Sequence, residues 1–524
     1  MVVLNWIEGL AVALACVAVS KFYLHMLQLE SYQLDGYLRW LNHNRDRLFG
    51  ATMSVGVAAT AASLILPLIF TLFTRTLGNI IGTVLTLIGF LTAALYTYHS
   101  QYLTAQKKPL AFTKRMKRLV LCLCAVILVC SSLLTLIGIP AYLLFAAVPY
   151  LPLVAGYVMQ PVEKNINQKF ATQAKERLNQ IPGLIKIGIT GSFGKTSTKF
   201  ALNTILSEKY RTYASPGSTN TPMGLSRVIN ENLQDDCEVF IAEMGSRHVG
   251  DIRELCDLVE PKYGVITSIG AAHLETFGNI ATVGNAKYEL IDALPEDGCA
   301  FFGIGEEIDK LFRRCLKNKY SAGIEAGNVF AHDIENGSFG SRFTLSCGDE
   351  SVRCETKLLG RHNIANIALA ASVALELGMT LPEIARGIRK IEPVEHRLQL
   401  IRGPVTVIDD AFNSNPQGAQ EALNVLSGFI GQRIIVTPGM VEMGEQEEEY
   451  NRIFGTQIAT VCDAAILVGE KRAQPIAKGL AQGGFDRNKM FIVADLNEAQ
   501  EKLKTLTKPG DVVLFENDLP DNYS

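Results

Sequence analysis

Lys186-Ile-Gly-Ile-Thr-Gly-Ser-Phe-Gly-Lys-Thr-Ser-Thr198 reads as a short apolar strand, a glycine turn and the start of a helix-competent run. A strand that ends in such a turn aims backbone N–H groups and a helix N-terminus at one point, which suits a polyphosphate. Gly191, Ser192, Phe193, Gly194, Lys195, Thr196 and Ser197 are therefore the candidate ATP-binding residues. Lys195 is placed to reach the outer phosphates and Thr196 to hold Mg2+. The pattern here is G-x-x-G-K-T, shorter than the common G-x-x-x-x-G-K-[ST], so a glycine-rich turn without function stands as the alternative.

Working outward, 524 residues suffice for three or four domains, each with its own core. The formal net charge is −3 and the basic residues are dispersed except near 107–118, so no nucleic-acid partner is expected. Eleven cysteines without a C-x-x-C pair argue for reduced thiols, not for a disulfide scaffold or a zinc ribbon. Cys347 and Cys354 are placed to face each other across a hairpin or simply to be buried as small apolar residues.

Toward the N-terminus, five apolar runs are read near Val2–Tyr23, Ala51–Phe73, Gly78–Tyr98, Leu119–Gly138 and Ala141–Met159. Each is close to the roughly 20 residues that cross a bilayer. Lys and Arg concentrate after the first run (Lys21, Arg39, Arg45, Arg47) and after the third (Lys107, Lys108, Lys114, Arg115, Lys117, Arg118). That asymmetry places the N-terminus outside and everything after Met159 in the cytoplasm of a multi-pass protein of the bacterial cell membrane. The amphipathic stretch Leu27–Leu41 reads as an interfacial helix or an ordinary loop helix. Pro161–Gln180 is polar and helix-competent, a connector.

Toward the C-terminus, Ala214–Gly224 is too rich in Gly and Pro for a helix or central strand and reads as a loop over the site. Glu243 ends an apolar strand, where a parallel sheet presents ligands to a nucleotide, and an acid is needed there to fix Mg2+. His273 follows the next strand, Tyr263–Ile269. Asn363 and Asn366 lie three apart on an expected helix and share a face. Val405–Asp410 is a strand ending in two acids. The later strands Ile434–Thr437, Ala464–Val468, Lys489–Val493 and Val512–Phe515 alternate with helices, as in a doubly wound sheet.

From about residue 182 onward the chain resembles the Mur ligases, ATP-dependent amide-forming enzymes of peptidoglycan assembly. The resemblance rests on Thr190–Thr196, Glu243-Met-Gly245, Ala272–Gly278, Ala286–Glu289, Gly360–Asn366, His396-Arg397 and Asp409–Pro416, in family order. It implies catalytic roles for Lys195, His273, Lys287 and Arg397, and two Mg2+ ions held by Thr196, Glu243, His273 and a carbamylated Lys287. A bare ammonium would be repelled by the metals, whereas a carbamate offers the oxygen that Mg2+ prefers. Without the resemblance, Lys287 reads as a surface helix lysine. The same resemblance places Asn363 and Asn366 near adenine, Arg397 at phosphate or ribose, and Asp410, Asn413 and Asn415 at nucleotide and incoming amine. Glu442 fits another family turn.

Three departures stand out. Membrane runs occupy the place of the family's UDP-sugar domain, Glu516-Asn-Asp518 replaces a Lys-Gly-Ser segment that helps bind the peptide, and Phe302–Gly305 replaces an adenine-side Asn. The expected architecture is an N-terminal α-helical membrane domain of about five transmembrane helices, then α/β, with a P-loop central domain and a Rossmann-like C-terminal domain. The boundaries are 1–160, a linker helix 161–181, 182–392 and 393–524. The implied activity is an acyl-phosphate ligase that joins an amino acid or a D-Ala-D-Ala-type dipeptide to a cell-wall peptide precursor, soluble or lipid-linked. Rival readings are a ligase acting on another polymer, such as poly-glutamate, and an ATP-binding membrane scaffold without activity.

Overall fold

The computed structural model describes residues 2–30, 32–44, 109–271, 274–337, 340–411, 414–441, 443 and 446–517, except 138 and 140, and a few isolated positions between 84 and 95. The second apolar run, the third apart from those isolated positions, His273, Asn413, Glu442 and Asp518 lie outside the described residues. The chain divides into two compact units, Met1–Asn167 and Gln168–Leu519, with the last residues grouped with the first.

In the first unit, helices Val2–Leu29 and Lys114–Ile137 pack along one stripe each. Val12, Cys16, Val19, Tyr23 and Leu27 meet Met116, Leu119, Leu123 and Ile127 in one core, and both sets recur at helical spacing. The other side of the second helix is also apolar and stays uncovered, with Leu121, Leu133 and Leu136 exposed. The last run does not form one helix of its own. Ala141–Tyr150 is a 3-10 segment, and Leu151–Gln180 is a single helix that carries the apolar end and the polar connector together. Arg118 clamps the buried Glu163 through two hydrogen bonds of 2.7 and 2.9 Å. Helix Leu34–His43 buries Tyr37 and Trp40, so the interfacial stretch is split between this helix and the end of the first.

The second unit is built on two sheets. The first comprises β1 (Ile185–Thr190), β2 (Thr212–Ala214), β3 (Val239–Glu243), β4 (Tyr263–Ile266), β5 (Cys299–Phe302), β6 (Asn318–Ile324), β7 (Val329–Gly337), β8 (Gly340–Cys347) and β9 (Glu350–Thr356). Their order is β2-β3-β1-β4-β5-β6-β7-β8-β9. The strands from β2 through β7 run parallel, and β7, β8 and β9 form an antiparallel extension. The winding reverses at β1, so the carboxyl ends of β1, β3 and β4 surround a crevice where ligands of such sheets bind. β3 is buried along its whole length, as expected for a parallel strand covered on both faces. In the β8–β9 hairpin Cys347 opposes Glu350 and Phe343 opposes Cys354, so the two cysteines do not face each other, and both are free.

The second sheet comprises β10 (Gln399–Ile401), β11 (Thr406–Asp410), β12 (Arg433–Thr437), β13 (Ala464–Val468), β14 (Met490–Val493) and β15 (Val512–Glu516). Its order is β10-β11-β15-β12-β13-β14, parallel except for the short edge strand β10. β15, last in the chain, lies centrally, and its final residue Glu516 is in register with Asp410 at the end of β11.

Candidate active site

The glycine turn between β1 and helix Lys195–Leu206 is fastened to the end of β4. Ser192 N donates to Ser268 O at 2.8 Å, Phe193 N to Ser268 Oγ at 2.8 Å, and Thr267 Oγ1 to Phe193 O. Two positions require glycine. A Cβ on Gly191 would sit 2.0 Å from Thr267 Oγ1, and Gly194, at φ 80°, would bring one within 2.6 Å of Asn366 Oδ1. Asn366 therefore lies against the turn itself. Asn363 is buried and donates its amide N–H to Leu359 O at 2.8 Å, in the turn just before its helix.

Lys195 folds back onto the turn and donates to Gly191 O at 2.6 Å and Ser192 O at 3.1 Å. Burial lowers its amine to about 8, Glu243 opposes that shift, and Arg397 adds to it. Arg397, from the second sheet's side of the unit, is thus within electrostatic reach of the P-loop. Its own guanidinium is lowered by burial, with Asp410 and Glu243 acting against it. The residues on either side, His396 and Leu398, have φ of 58° and 48°, and His396 Nδ1 is 2.7 Å from Asp409 Oδ2.

Glu243, 1% exposed, is the acid that the sequence placed at a strand end. Thr196 Oγ1 donates to its Oε2 at 3.0 Å, and Asn220 Nδ2 to its Oε1 at 3.1 Å. Lys199, 0% exposed, also reaches Oε2 at 3.0 Å. A hydroxyl and a carboxylate side by side are hard oxygen donors that fit Mg2+, which takes one or two carboxylates and completes its shell with phosphate and water. Among the described residues no three His, Cys, Asp or Glu side chains gather to hold a metal without such help.

Lys287 is not a surface lysine. It is 3% exposed, donates to Ser246 Oγ, and lies 5.8 Å from the centre of the Phe277 ring. Burial lowers its amine to about 7, with repulsion from Lys195 next and only weak opposition from Asp251 and Glu289. Lys195, Lys287 and Arg397 are therefore a linked set of basic groups, opposed by Glu243, Asp251, Glu289 and Asp410, and a polyanion brought among them finds cationic partners.

Two residues expected at the nucleotide and incoming amine also have structural partners. Asn415 caps helix Pro416–Ser427 by accepting from Gly418 N at 2.9 Å. Asp410 is held by Leu398 N at 3.1 Å and shares its surroundings with Glu516, and burial raises both carboxyls. Glu516 Oε1 accepts from Ser414 Oγ at 2.7 Å. Asn517 follows at φ 69°, a left-handed position, with its side chain on Gly439 O at 2.6 Å. Lys199, Asn220 and Ser246 escaped the sequence reading. Only Lys199 left a signal there, one helical turn after Lys195 on the same face.

The Mur ligase middle domain family matches residues 189–374, and the Mur ligase glutamate ligase domain family matches residues 396–516. A UDP-N-acetylmuramoyl-tripeptide–D-alanyl-D-alanine ligase of Mycobacterium tuberculosis (strain ATCC 25618 / H37Rv) is 31% identical over 361 residues, 64% of this chain and 70% of that protein. With a P-loop, an adjoining acid and a buried lysine brought together on the matching folds, the chain belongs to the Mur ligases and is an ATP-dependent carboxylate–amine ligase of that type.

Within the family it is most like the UDP-N-acetylmuramoyl-tripeptide–D-alanyl-D-alanine ligases. The protein of that name from Bacillus subtilis (strain 168) is 28% identical over 354 residues, 66% of this chain and 75% of its own. Solved structures agree. MurF from Acinetobacter baumannii superposes with a TM-score of 0.62 at 26% identity, covering 68% of this chain and 78% of its own. The MurF ligase from Thermotoga maritima in complex with ADP gives 0.61 at 27% identity, covering 67% and 80%.

Proposed function

We propose that this chain is a membrane-anchored ligase that extends a cell-wall peptide precursor by an amino acid or a D-Ala-D-Ala-type dipeptide, using ATP and two Mg2+ ions. The observation that carries the reading is the meeting of Lys195, Thr196, Glu243 and Lys287 at one crevice, with Arg397 reaching it from the second sheet. The turn N–H groups and Lys195 bind and orient the triphosphate, and Arg397 steadies its charge from the other side. Thr196 and Glu243 hold one Mg2+, and His273 with a carbamylated Lys287 holds the second. When bound, the metals offset the charge that develops as the γ-phosphoryl passes to the substrate carboxylate. The amine then displaces phosphate, so no protein nucleophile is needed.

Membrane anchoring is supported by three helical segments, Val12–Leu29, Lys114–Ile137 and Leu143–Gln180, long and apolar enough to cross a bilayer. The uncovered apolar side of Lys114–Ile137 supports it too. Residues 1–160 are then the membrane domain, 161–181 the connecting part of a longer helix, 182–392 the central domain and 393–524 the C-terminal domain, with catalysis on the cytoplasmic side. An acceptor delivered at the bilayer makes a soluble UDP-sugar domain dispensable, so we take the acceptor to be lipid-linked.

The test uses the full-length protein in lipid nanodiscs, with ADP release measured on a lipid-linked muramoyl peptide and on its soluble UDP form. We expect kcat/KM at least about tenfold higher for the lipid-linked acceptor, from the raised local concentration at the bilayer. Equal or faster turnover of the soluble form defeats the lipid-linked reading, and ADP release that survives Lys195→Met defeats the assignment of the P-loop.

A further inference from the structure

Lys199 has no place in the chemistry above, yet it is one of the most deeply buried charges in the second unit. Its ammonium donates to Glu243 Oε2 at 3.0 Å and to Gly217 O, and lies 4.8 Å from the centre of the Phe200 ring. Glu243 is its only ion-pair partner among the described residues. From the other side, Glu243 takes three donors on its two oxygens. Thr196 and Lys199 share Oε2, and Asn220 takes Oε1. The same contacts hang the turn-rich loop on this carboxylate. Ser215 Oγ accepts from Glu243 N at 3.2 Å, Gly245 N donates to Asn220 O at 3.0 Å, and Gly217 O is the second acceptor of Lys199.

We infer that Lys199 is a positioning residue of the metal site, an internal counter-ion that competes with the divalent cation for Glu243 and ties that carboxylate to the 215–220 loop. The inference rests on the reading of Glu243 as a metal ligand. A cation approaching Glu243 and Thr196 meets a carboxylate already neutralised by a buried ammonium about one hydrogen-bond length away, and two positive charges that close repel strongly where water is scarce. Bare Mg2+ is therefore held weakly. A nucleotide polyphosphate reverses the balance, because its charge outweighs Lys199, so metal and nucleotide enter together. Loss of the ammonium leaves Oε2 with the Thr196 hydroxyl alone and leaves a buried negative charge that attracts the metal on its own.

The experiment measures Mn2+ binding to the nucleotide-free, full-length protein by electron paramagnetic resonance, with Mn2+ as the spin-active stand-in for Mg2+. We expect Lys199→Met and Lys199→Gln each to bind Mn2+ at least about tenfold more tightly than the unmodified chain, and Lys199→Arg to stay within about threefold, since it keeps the charge. In the unmodified chain, ADP is expected to tighten Mn2+ binding by at least about tenfold. Mn2+ affinity that is unchanged or weaker in whichever neutral variant retains a cooperative melting transition overturns the inference, as does an absence of coupling to ADP. A structural role alone would lower the melting temperature and leave the metal affinity where it was. Glu243→Gln separates the two layers. If it leaves Mn2+–ADP binding intact, the ligand reading fails. If it abolishes that binding while Lys199→Met changes nothing, the counter-ion fails alone.

Discussion

Lys287 offers the sharpest quantitative expectation. It is 3% exposed, and burial, with Lys195 repelling it, lowers its amine from 10.5 to about 7. At pH 7.5 such an amine is roughly 0.8 neutral, whereas an unperturbed lysine is about 0.001 neutral, an advantage of several hundredfold. Only the neutral amine adds to CO2, so this shift favours the carbamate proposed at Lys287, and favours it more than at Lys195, whose amine is lowered only to about 8. At pH 6 the neutral fraction falls to about 0.1, and the proton released on carbamate formation pushes the equilibrium back further. The assay is 13C NMR of the metal-free protein at a fixed pressure of dissolved 13CO2. One carbamate carbon should appear at pH 7.5, be nearly gone at pH 6 and be missing in Lys287→Met. A titration midpoint of the Lys287 ε-carbon near 9 or above, or a carbamate signal that survives Lys287→Met, would refute the reasoning. The sign for stability follows from the same shift. The folded state carries the cost of a buried ammonium in full below about 7 and none above 10.5. Stability of the metal-free, CO2-free protein therefore rises with pH across that window, and Lys287→Met flattens the rise.

Gly194→Ala places a Cβ 2.6 Å from Asn366 Oδ1 at a φ of 80°. The left-handed backbone alone costs about 1–2 kcal/mol, so calorimetry should find ADP bound about tenfold more weakly or the melting temperature lowered to match. In Glu516→Gln the Ser414 bond has a carbonyl to accept it and the raised carboxyl beside Asp410 is gone. A raised acid costs the fold stability as pH climbs above the ordinary glutamate range, so the variant should melt higher at pH 7–8 and about the same near pH 4 by scanning calorimetry. Glu163→Gln breaks the two-pronged clamp from Arg118 inside the first unit. A loss of about 2 kcal/mol is expected, checked by thermal unfolding in detergent micelles.

The parts of this fold legible in the sequence were those where local pattern and tertiary role coincide. β1 and β3 are apolar runs that end abruptly at Gly or acid, and a buried parallel strand has little other way to read; β11 reads alike, although only Ile408 in it is fully buried. The P-loop and Glu243 were legible for the same reason. The helical character of 161–180 was legible, but its continuity with the apolar residues before it was not, because backbone hydrogen bonding from Leu151 to Gln180 is indifferent to the change in side-chain polarity. The antiparallel extension from β7 to β9 was beyond reach, since Val329–Thr356 alternates polar and apolar residues without marking which strand pairs with which. The cap that Asn415 makes on its helix and the pairing of Asp410 with Glu516 leave no mark in the sequence, because each depends on what the fold brings alongside. Lys199 and Asn220 acquire meaning only when β3 brings Glu243 between them, a juxtaposition 23 and 44 residues away along the chain.

Arg397 is borne between two non-glycine residues wound the wrong way for their chirality. Such a kink resembles a cocked latch, since each flank would gain about 1–2 kcal/mol by unwinding, and both flanks are fastened to the end of β11, His396 on Asp409 and Leu398 on Asp410. On the proposed reading of Arg397 as a nucleotide contact, relaxation of the two strained flanks would offset part of the energy lost when the guanidinium leaves its buried place.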